Sequence, residues 1–382
     1  MKQVRVASYR PGVASNGTAF EAMALIYKYI QKKYGWKFTI YKDEFDNFSD
    51  DELEVVSIPN KSRTTVLKSP LPKNFLKFNK HVVQELKSYD ILLGCDPATY
   101  QQGVHAAYVS RKFGIPFAFD ASITVMGRGR SLDWKLQSRF TKWAMKQSSI
   151  VWLTVPKTAE RYRDLDIRGE EFASQYVVLG HPVDTRKFYP MDLKKDPSRI
   201  EILCVSRLVM EKGIHYIIEA VAPIIRENPN VVLRIVGKGE CQGFLQKIID
   251  DEGINKNVEF VDPVPHTQLP ELYNGADIFV GHPVSISNWE EFFGVVNVEA
   301  MACGLPVVTS KCGGISHVMR EEGIAKFVEE RDIIATTQAI KELIENEPLR
   351  KDISRKARNY VERTYSLQII AEKYKRYLDS IL

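Results

Sequence analysis

The chain has 382 residues, of which 44% are hydrophobic and 26% are charged. This length predicts two domains, because a single hydrophobic core rarely grows beyond about 250–300 residues. The composition excludes a disordered chain, a collagen-like fibre and a small disulfide scaffold. No apolar run approaches the roughly 20 residues that cross a bilayer, and the opening stretch MKQVRVASYRPG lacks the apolar core of a secretory signal peptide.

The cysteines and the charge give a first expectation about location and partners. Five cysteines are scattered without a C-x-x-C pair, which suits a reducing cytosol and argues against a zinc ribbon. Residues 1–180 carry 27 Lys and Arg against 18 Asp and Glu, whereas the remainder carries 26 against 30. The basic part could face phospholipid headgroups or a phosphorylated acceptor. The alternative is a solvated surface whose composition drifts along the chain.

The first part of the chain alternates strand-like and helical patterns. Strands are predicted at 4–9, 37–41, 90–94, 115–120, 149–155 and 176–180. Helical spacing of apolar residues occurs at 19–35, at 103–114 and from 157 to about 164. Residues 43–79 contain three prolines and are predicted to be irregular. This alternation predicts a mostly parallel sheet flanked by helices.

A segment rich in proline and charge, 181–199, is predicted to be a linker, and a second alternating series follows it. Its strands are predicted at 200–208, 231–237, 257–262, 277–281 and 305–310, and its helices at 213–228, 243–250, 267–276, 295–304 and 333–363. The closing stretch, 366–382, is predicted to be an amphipathic helix. Doubly wound domains bind ligands at the carboxyl ends of their strands, so we expect the site there.

Residues 288–308 are the most informative stretch. Gly294 precedes a predicted helix that begins at Val295, and its first amides lack intrahelical partners and carry the positive end of the helix dipole. Such a terminus is a ready site for a phosphate. Glu299, about one turn into the helix, could accept hydrogen bonds from two neighbouring hydroxyls such as those of ribose. Glu291 could hold a hydroxyl of a sugar beyond the phosphate. Taken alone, each glutamate is more simply explained as a surface or helix-start acid.

A second cluster, VSRLVMEKG (205–213), follows a predicted strand and precedes a helix. Arg207 can bind two phosphate oxygens through its guanidinium fork, and Lys212 adds a point charge. With the amides near Gly294, two cations would fit a diphosphate, whereas a lone Arg and Lys would be ordinary surface charge. The later segment IVGKGE (235–240) lacks the third glycine of the dinucleotide fingerprint and would allow a base or ribose near its strand end.

In combination these motifs resemble those of the retaining glycosyltransferases of the two-Rossmann (GT-B) architecture, specifically family 4, the glycosyl transferases group 1. EEFFGVVNVEAMACGLPVV resembles its two-glutamate signature, with seven residues between Glu291 and Glu299. VSRLVMEKG resembles its diphosphate-binding Arg/Lys pair, GHPVDTRKFYP its interdomain segment and YSLQIIAEKYKRYL its closing helix. The resemblance covers roughly residues 183–320.

The fold class implied is α/β, with two doubly wound Rossmann-like domains that face each other across a cleft. Residues 1–182 are expected to form the N-terminal acceptor-binding domain, and residues 183–363 the nucleotide-sugar-binding domain. Residues 364–382 are expected to form a helix that packs back on the N-terminal domain. The resemblance also implies an enzyme of the hexosyltransferase type, EC 2.4, that builds cell-envelope glycans.

The resemblance implies donor-binding roles for the cations and for the helix start. Arg207 and Lys212 would neutralise the diphosphate. Amides near Gly294 and Val295, with the adjoining Phe293, would contact the same phosphates. These residues would therefore form the phosphate part of the site.

Four further residues complete the implied site. Glu299 would bind the ribose hydroxyls, and Glu291 would hold and orient the donor sugar as a catalytic residue. Gly17 loosely matches a glycine-rich loop over the diphosphate, although ASNGTAFE has no Gly-Gly pair. Many members carry a histidine after the IP strand of the first domain; here Asp120 or Ser122 occupies that neighbourhood. Asp120 could stabilise positive charge or contact the acceptor, and it could equally cap a loop.

The implied reaction moves a sugar from a nucleotide-diphosphate sugar to a glycan or glycolipid with retention of the anomeric configuration. Charge grows on the leaving phosphate, where Arg207, Lys212 and the helix dipole would act. No metal and no cofactor is then expected, and the sugar nucleotide serves as co-substrate. The D-x-D triplet at 164–166 follows no predicted strand and is predicted to be structural.

Four histidines lie in or beside the elements and motifs described above. His105 is predicted to be a helix residue. His181, His282 and His317 lie beside the motifs quoted above and are candidate site residues. His317 stands where relatives often carry a glutamate, so the loop that contacts the sugar is expected to differ.

The acceptor side is expected in the basic stretch 127–146, which carries six basic residues, one acid and interleaved aromatic residues. Such a helix suits peripheral docking on the anionic inner face of a membrane; the alternative is a surface helix with its aromatic rings in the core. The expected location is cytoplasmic, and no nucleic-acid partner is expected because no binding module accompanies the charge. Two other functions stay open: a nucleotide-sugar 2-epimerase of GT-B architecture, and a non-catalytic binder of sugar nucleotides or polyanions.

Overall fold

The structure is a computed structural model that describes residues 3–10, 21–59, 63–65, 77–94, 100–119, 132–160, 174–287 and 289–382. The chain forms two compact units. The N-terminal unit comprises residues 1–182 and 367–382, and the C-terminal unit comprises residues 183–366. Within the ranges described, no helix combines the length and the apolar character needed to cross a membrane.

The N-terminal unit is built on a parallel sheet. Its strands are β1 (Arg5–Tyr9), β2 (Lys37–Asp43), β3 (Glu54–Ile58), β4 (Arg63–Thr65), β5 (Lys77–Asn79), β6 (Ile91–Gly94), β7 (Phe117–Phe119), β8 (Ile150–Leu153) and β9 (Tyr176–Val178). The described strands of the main sheet follow the order β3-β2-β1-β6-β7-β8-β9, and β4 and β5 pair separately in antiparallel fashion. Strands β6, β7 and β8 are buried along their whole length, as expected for parallel strands covered on both faces.

The described helices of this part are α1 (Glu21–Tyr34), α2 (Lys80–Leu86), α3 (Tyr100–Phe113) and α4 (Leu132–Gln147). The prediction that residues 43–79 are irregular was wrong for 54–58, because β3 pairs in parallel with β2 at the sheet edge. It was also wrong for 63–65 and 77–79, which pair as β4 and β5. The β3 sequence EVVSI is short and only partly buried, so it lacks the continuous apolar run that marked the inner strands.

The C-terminal unit repeats the same architecture. Its strands are β10 (Ile200–Val205), β11 (Val231–Val236), β12 (Val258–Val261), β13 (Ile278–Gly281), β14 (Val307–Ser310) and β15 (Lys326–Val328), all parallel to their neighbours. Its helices are α5 (Ile214–Glu227), α6 (Gln242–Glu252), α7 (Leu269–Gly275), α8 (Val295–Ala302), α9 (Ile315–Val318), α10 (Ile333–Glu345) and α11 (Glu347–Thr364). The sheet order is β12-β11-β10-β13-β14-β15, so the strand order reverses between β10 and β13. This reversal is where open α/β sheets bind ligands.

Two sequence predictions for this unit need correction. The three-residue strand β15 was not predicted, and the single helical region predicted at 333–363 is two helices. Asn346 separates them: its side chain accepts a hydrogen bond from the Leu349 amide and so caps α11.

The segment predicted to be a linker is attached to the C-terminal unit. The guanidinium of Arg358 donates to the carbonyls of Thr185 and Phe188, and the amide of Met191 donates to Oδ1 of Asn274. One cation on α11 therefore satisfies carbonyls of a stretch that has no regular structure of its own.

The last helix, α12 (Leu367–Asp379), belongs to the N-terminal unit. The carboxylate of Glu372 accepts hydrogen bonds from Tyr29, Lys33 and Tyr34 at the end of α1. Tyr374 is fully buried and stacks on Trp152 of β8 with the ring centroids 4.0 Å apart. Its amphipathic sequence thus covers this unit with an apolar face and a hydrogen-bonded edge.

Candidate functional site

Three loops of the C-terminal unit meet at the carboxyl edge of its sheet. They are residues 206–213 after β10, residues 282–287 and 289–294 after β13, and residues 311–314 after β14. The amide of Val284 donates to the carbonyl of Glu211 at 2.9 Å, and the amide of Gly314 donates to the carbonyl of Glu291 at 2.8 Å. Backbone hydrogen bonds therefore hold the three loops together at the strand-order reversal.

Glycines make these close approaches sterically feasible. Gly213 has φ +62°, and a Cβ on it would lie 1.9 Å from the carbonyl oxygen of His282. Gly313 has φ +59°, and a Cβ there would lie 2.0 Å from the carbonyl oxygen of Glu291. A side chain at either position would push two of the loops apart.

Lys212 and Glu291, both predicted from the sequence, are in direct contact. Nζ of Lys212 lies 2.5 Å from Oε2 of Glu291, and the two side chains are only 20% and 21% exposed. The same ammonium lies 4.7 Å from the centroid of the Trp289 ring. The structure thus places a cation, a carboxylate and an aromatic face together at the carboxyl edge of the sheet.

Arg207 is the exposed cation of the site. Its side chain is 63% exposed, and Nη2 lies 3.6 Å from Oε1 of Glu211 within the same loop. Gly237 and Gly239 of the IVGKGE segment lie under this loop, because a Cβ on them would approach the carbonyl oxygens of Ser206 and Leu208 to 1.9 and 2.3 Å. These glycines therefore support the Arg207 loop by close backbone packing.

The start of α8 has the features that were expected of a phosphate-binding terminus. Gly294 is its N-cap residue with φ +68°, and Val295 at the first helical position is exposed. The first amides of a helix have no acceptor within the helix. Phe293, predicted as a donor contact, has a buried ring that lies edge-on to Tyr365 with the centroids 5.2 Å apart. Its side chain anchors the loop from within.

Glu299 is nearly buried and already has two side-chain partners. Its Oε1 lies 2.7 Å from Nε2 of His266, and its Oε2 accepts a hydrogen bond from the Tyr273 hydroxyl at 3.1 Å. Burial first, and then the Glu299 charge, raise the pKa of Tyr273 well above its usual value, so this hydroxyl stays a donor. Each carboxylate oxygen accepts two hydrogen bonds, which leaves Glu299 capacity for ligand hydroxyls.

His282 is a structural residue. It is 1% exposed, its Nε2 accepts a hydrogen bond from the Arg331 amide at 3.0 Å, and its Nδ1 lies 3.2 Å from the Thr336 hydroxyl. Burial lowers the pKa of His282 to about 4. It therefore fixes the loop after β13 as a neutral imidazole.

The three remaining histidines that were named from the sequence lie in different settings. His317 is exposed on α9, His181 is half-buried before the C-terminal unit begins, and His105 is buried on α3, as predicted for a helix residue.

Several predicted residues lie outside the described part of the chain. These are Gly17, Asp120, Ser122 and the D-x-D triplet at 164–166. Of the basic stretch 127–146, the structure describes the backbone from Leu132, where α4 begins. Phe140 and Trp143 on this helix are partly buried against the core of the N-terminal unit, so these two rings pack inward.

Four site residues were not predicted from the sequence. His266 and Tyr273 hold Glu299, and Trp289 lies beside Lys212. A fourth, Cys312, accepts a hydrogen bond from the Glu291 amide at 3.4 Å, and burial raises the pKa of its thiol to about 11. The only available signal was the position of Trp289 two residues before Glu291; the others depend on tertiary contacts.

Comparison with known proteins finds a family model that matches the part of the chain containing these residues. Residues 185–360 match the family model of the glycosyl transferases group 1. Glycosyltransferase MJ1607 of Methanocaldococcus jannaschii is 34% identical over 174 residues, which are 45% of this chain and 43% of that protein. The GDP-mannose-dependent alpha-(1-6)-phosphatidylinositol monomannoside mannosyltransferase of Mycolicibacterium smegmatis is 32% identical over 153 residues, 38% of this chain and 39% of that protein. The alignments thus span less than half of these curated relatives.

Solved structures match the whole chain. HepE of Anabaena in complex with UDP has a TM-score of 0.77 at 19% identity and covers 99% of this chain and 100% of that one. Sucrose-phosphate synthase of Thermosynechococcus elongatus has a TM-score of 0.71 at 19% identity and covers 99% of both chains. The chain therefore has the GT-B fold of two parallel α/β domains, and its residues 185–360 are similar to the glycosyl transferases group 1.

Proposed function

We propose that this chain is a glycosyltransferase that takes a sugar from a nucleotide-diphosphate sugar. One observation carries the proposal: Lys212 contacts Glu291 at the carboxyl edge of the sheet, within the residues that match the group 1 family model. Glu291 lies three residues before Gly294, the N-cap of α8. A cation and a helix terminus suit a diphosphate, and a carboxylate beside them suits sugar hydroxyls.

The geometry supports an electrostatic mechanism. When the bond between the anomeric carbon and the diphosphate breaks, negative charge grows on the leaving phosphate. Lys212, Arg207 and the first amides of α8 would stabilise that charge, because preorganised charges and dipoles act most strongly where charge develops. The buried carboxylate of Glu299 would hold the ribose. Glu291 would orient the donor sugar.

The proposed stereochemistry is retention, as in family 4, by attack of the acceptor on the face that the leaving group vacates. The leaving phosphate would help to take the acceptor proton. The proposed reaction needs no metal ion, since Arg207, Lys212 and the α8 terminus supply positive charge at the diphosphate.

The donor and the acceptor are proposed by chemical class. The fold neighbour HepE was solved with UDP, and the mycobacterial relative is GDP-mannose-dependent, so a uridine or guanosine diphosphate sugar is the first choice. That relative acts on a phosphatidylinositol monomannoside, and we propose a glycan or a lipid-linked glycan as acceptor. The proposed location is cytoplasmic, with peripheral contact at the membrane inner face through 127–146.

The test is transfer by the purified chain. We expect release of nucleoside diphosphate from one member of a panel of UDP-, GDP- and ADP-sugars, with the acceptor increasing the rate. Activity should survive EDTA, and proton NMR of the product should show the anomeric configuration of the donor. Binding without turnover across a broad acceptor panel would instead identify a binder, and a 2-epimerised sugar nucleotide would identify an epimerase.

A further inference from the structure

Lys212 and Glu291 form an ion pair with each other in this structure. Their ion pair is 2.5 Å long and about four-fifths buried. The proposed function, on which this inference rests, gives both groups other duties, since Lys212 binds the diphosphate and Glu291 binds a sugar hydroxyl. An ammonium held this closely by a carboxylate is partly neutralised, so it attracts a phosphate less strongly.

The two partners differ in freedom to move. The backbone of Glu291 is tied to the loop after β14, because its carbonyl accepts the Gly314 amide and its amide donates to Sγ of Cys312. Two residues earlier, Trp289 pairs with Ile286 through backbone hydrogen bonds of 2.9 and 3.3 Å. Lys212 instead reaches the site on a flexible four-carbon stem. The Lys212 backbone is held too, because its amide donates to the Val209 carbonyl at 3.1 Å. The longer lysine side chain therefore gives the ammonium a larger range of movement than the carboxylate.

Trp289 gives the ammonium a second attachment. Nζ of Lys212 lies 4.7 Å from the centroid of this ring, a distance at which the ring face attracts a cation. The ring carries no net charge, so it can hold Lys212 while the anionic partner changes. Lys212 can therefore change its anionic partner while its ammonium stays against the Trp289 ring.

We propose that binding of the donor sugar nucleotide breaks the Lys212–Glu291 ion pair and gives each side chain a new partner in exchange. The diphosphate draws the Lys212 ammonium from Glu291, and the carboxylate so released accepts a hydroxyl of the donor sugar. A nucleoside diphosphate without its sugar breaks the ion pair and gains no replacement partner for Glu291. A complete sugar nucleotide also breaks the ion pair, but its sugar hydroxyl donates a hydrogen bond to Glu291 and so offsets the loss. The device thus favours the intact donor over the product diphosphate.

The experiment measures the affinity of nucleoside diphosphates by isothermal titration calorimetry with UDP, GDP, ADP and dTDP. Glu291→Gln removes the competing charge, so we expect it to bind the preferred diphosphate about three- to ten-fold more tightly than wild type. The same variant should lose transfer activity. Glu290→Gln, which removes one negative charge from the adjacent position, should change the affinity by less than about two-fold. Thermal unfolding checks that each variant is folded.

A double-mutant cycle separates exchange from plain charge repulsion. In a Lys212→Met background, exchange predicts that Glu291→Gln no longer tightens binding, because the ion pair is already absent. Equal tightening in both backgrounds would overturn the exchange and leave simple repulsion, as would unchanged or weaker binding by Glu291→Gln alone. These results leave the proposed function standing. If no diphosphate binds the wild type, the proposed function itself fails and the exchange fails with it.

Discussion

Nε2 of His266 lies 2.7 Å from Oε1 of Glu299, so a half-exposed imidazole covers a carboxylate that is only 5% exposed. The Tyr273 hydroxyl holds the other carboxylate oxygen from the interior. Phe188 lies against both rings, with centroids 5.1 Å from His266 and 6.1 Å from Tyr273. The orientation of Glu299 is therefore fixed before any ligand arrives.

If Glu299 binds the ribose, its charge should contribute only to ligands that carry ribose hydroxyls. We expect Glu299→Gln to weaken UDP or GDP about ten-fold or more, and to leave the 2′,3′-dideoxy analogue nearly unchanged. Calorimetric titration of both ligands gives the comparison. Tyr273→Phe, which keeps the carboxylate, is the control and should preserve the discrimination. Equal weakening of both ligands would exclude the ribose contact.

Arg207 tests the proposed contact with the phosphates. Arg207→Ala should weaken a nucleoside diphosphate about ten- to a hundred-fold, because phosphate charge would lose a charge-assisted partner, and should leave the bare nucleoside unaffected. Arg226→Ala removes a comparably exposed arginine, paired with Glu252 at 2.7 Å, and serves as the matched control. A diphosphate affinity that is the same in both variants would remove Arg207 from the site.

Trp289 is expected to keep Lys212 in place. Trp289→Leu should weaken diphosphate binding about two- to five-fold, since a cation–π contact contributes roughly 0.5–1 kcal/mol at a partly exposed position. Trp289→Phe should retain part of that affinity. Tyr34→Leu is the control, because its ring faces Lys375 at 4.5 Å in the N-terminal unit. Equal affinity of the Leu variant and the wild type would contradict the assignment.

The doubly wound fold and the placement of Lys212 and Glu291 in one site could be predicted from the sequence, for one physical reason, whereas their direct ion pair was not predicted. Strand ends, helix starts and the residues between them follow from local pattern, and parallel strands bring their carboxyl ends to one edge. His266 lies in a short 3₁₀ turn with no such pattern. Its contact with Glu299 depends on how α7 packs beside α8, which spacing along the chain does not encode. Strand β3 was missed for a related reason, since an edge strand needs no continuous apolar run.

Gly213 tests the backbone packing of the site. Gly213→Ala should destabilise the chain by about 2–4 kcal/mol, because its Cβ would collide with the His282 carbonyl at a positive φ. Gly253→Ala is a matched control: its φ is +70°, yet nothing lies within 4 Å of the added Cβ, so only the strain of about 1 kcal/mol remains. Urea unfolding measures both. Equal losses would show that the collision is relieved by movement of the loop after β13.

His282 makes the stability of the C-terminal unit depend on pH. Its pKa is lowered from 6.5 to about 4, first by burial and then by the charge of His215, against the opposing effects of Glu330 and Asp332. The unfolded chain therefore takes up a proton at a higher pH than the folded chain. The stabilisation due to His282 is complete above about pH 6.5 and is lost as the pH falls towards 4.

The measurable consequence is a steep loss of stability between pH 6.5 and pH 4. From this pKa shift, the free energy of unfolding should fall by about 2 kcal/mol between pH 7 and pH 5. His282→Gln removes the titrating group and should flatten that part of the profile, although it lowers stability at neutral pH by disturbing the contacts with Arg331 and Thr336. Urea unfolding of both proteins at each pH tests this. Parallel profiles would show that His282 does not titrate differently in the folded and unfolded states, and would assign the pH dependence to other groups such as His215, whose pKa is also lowered by burial.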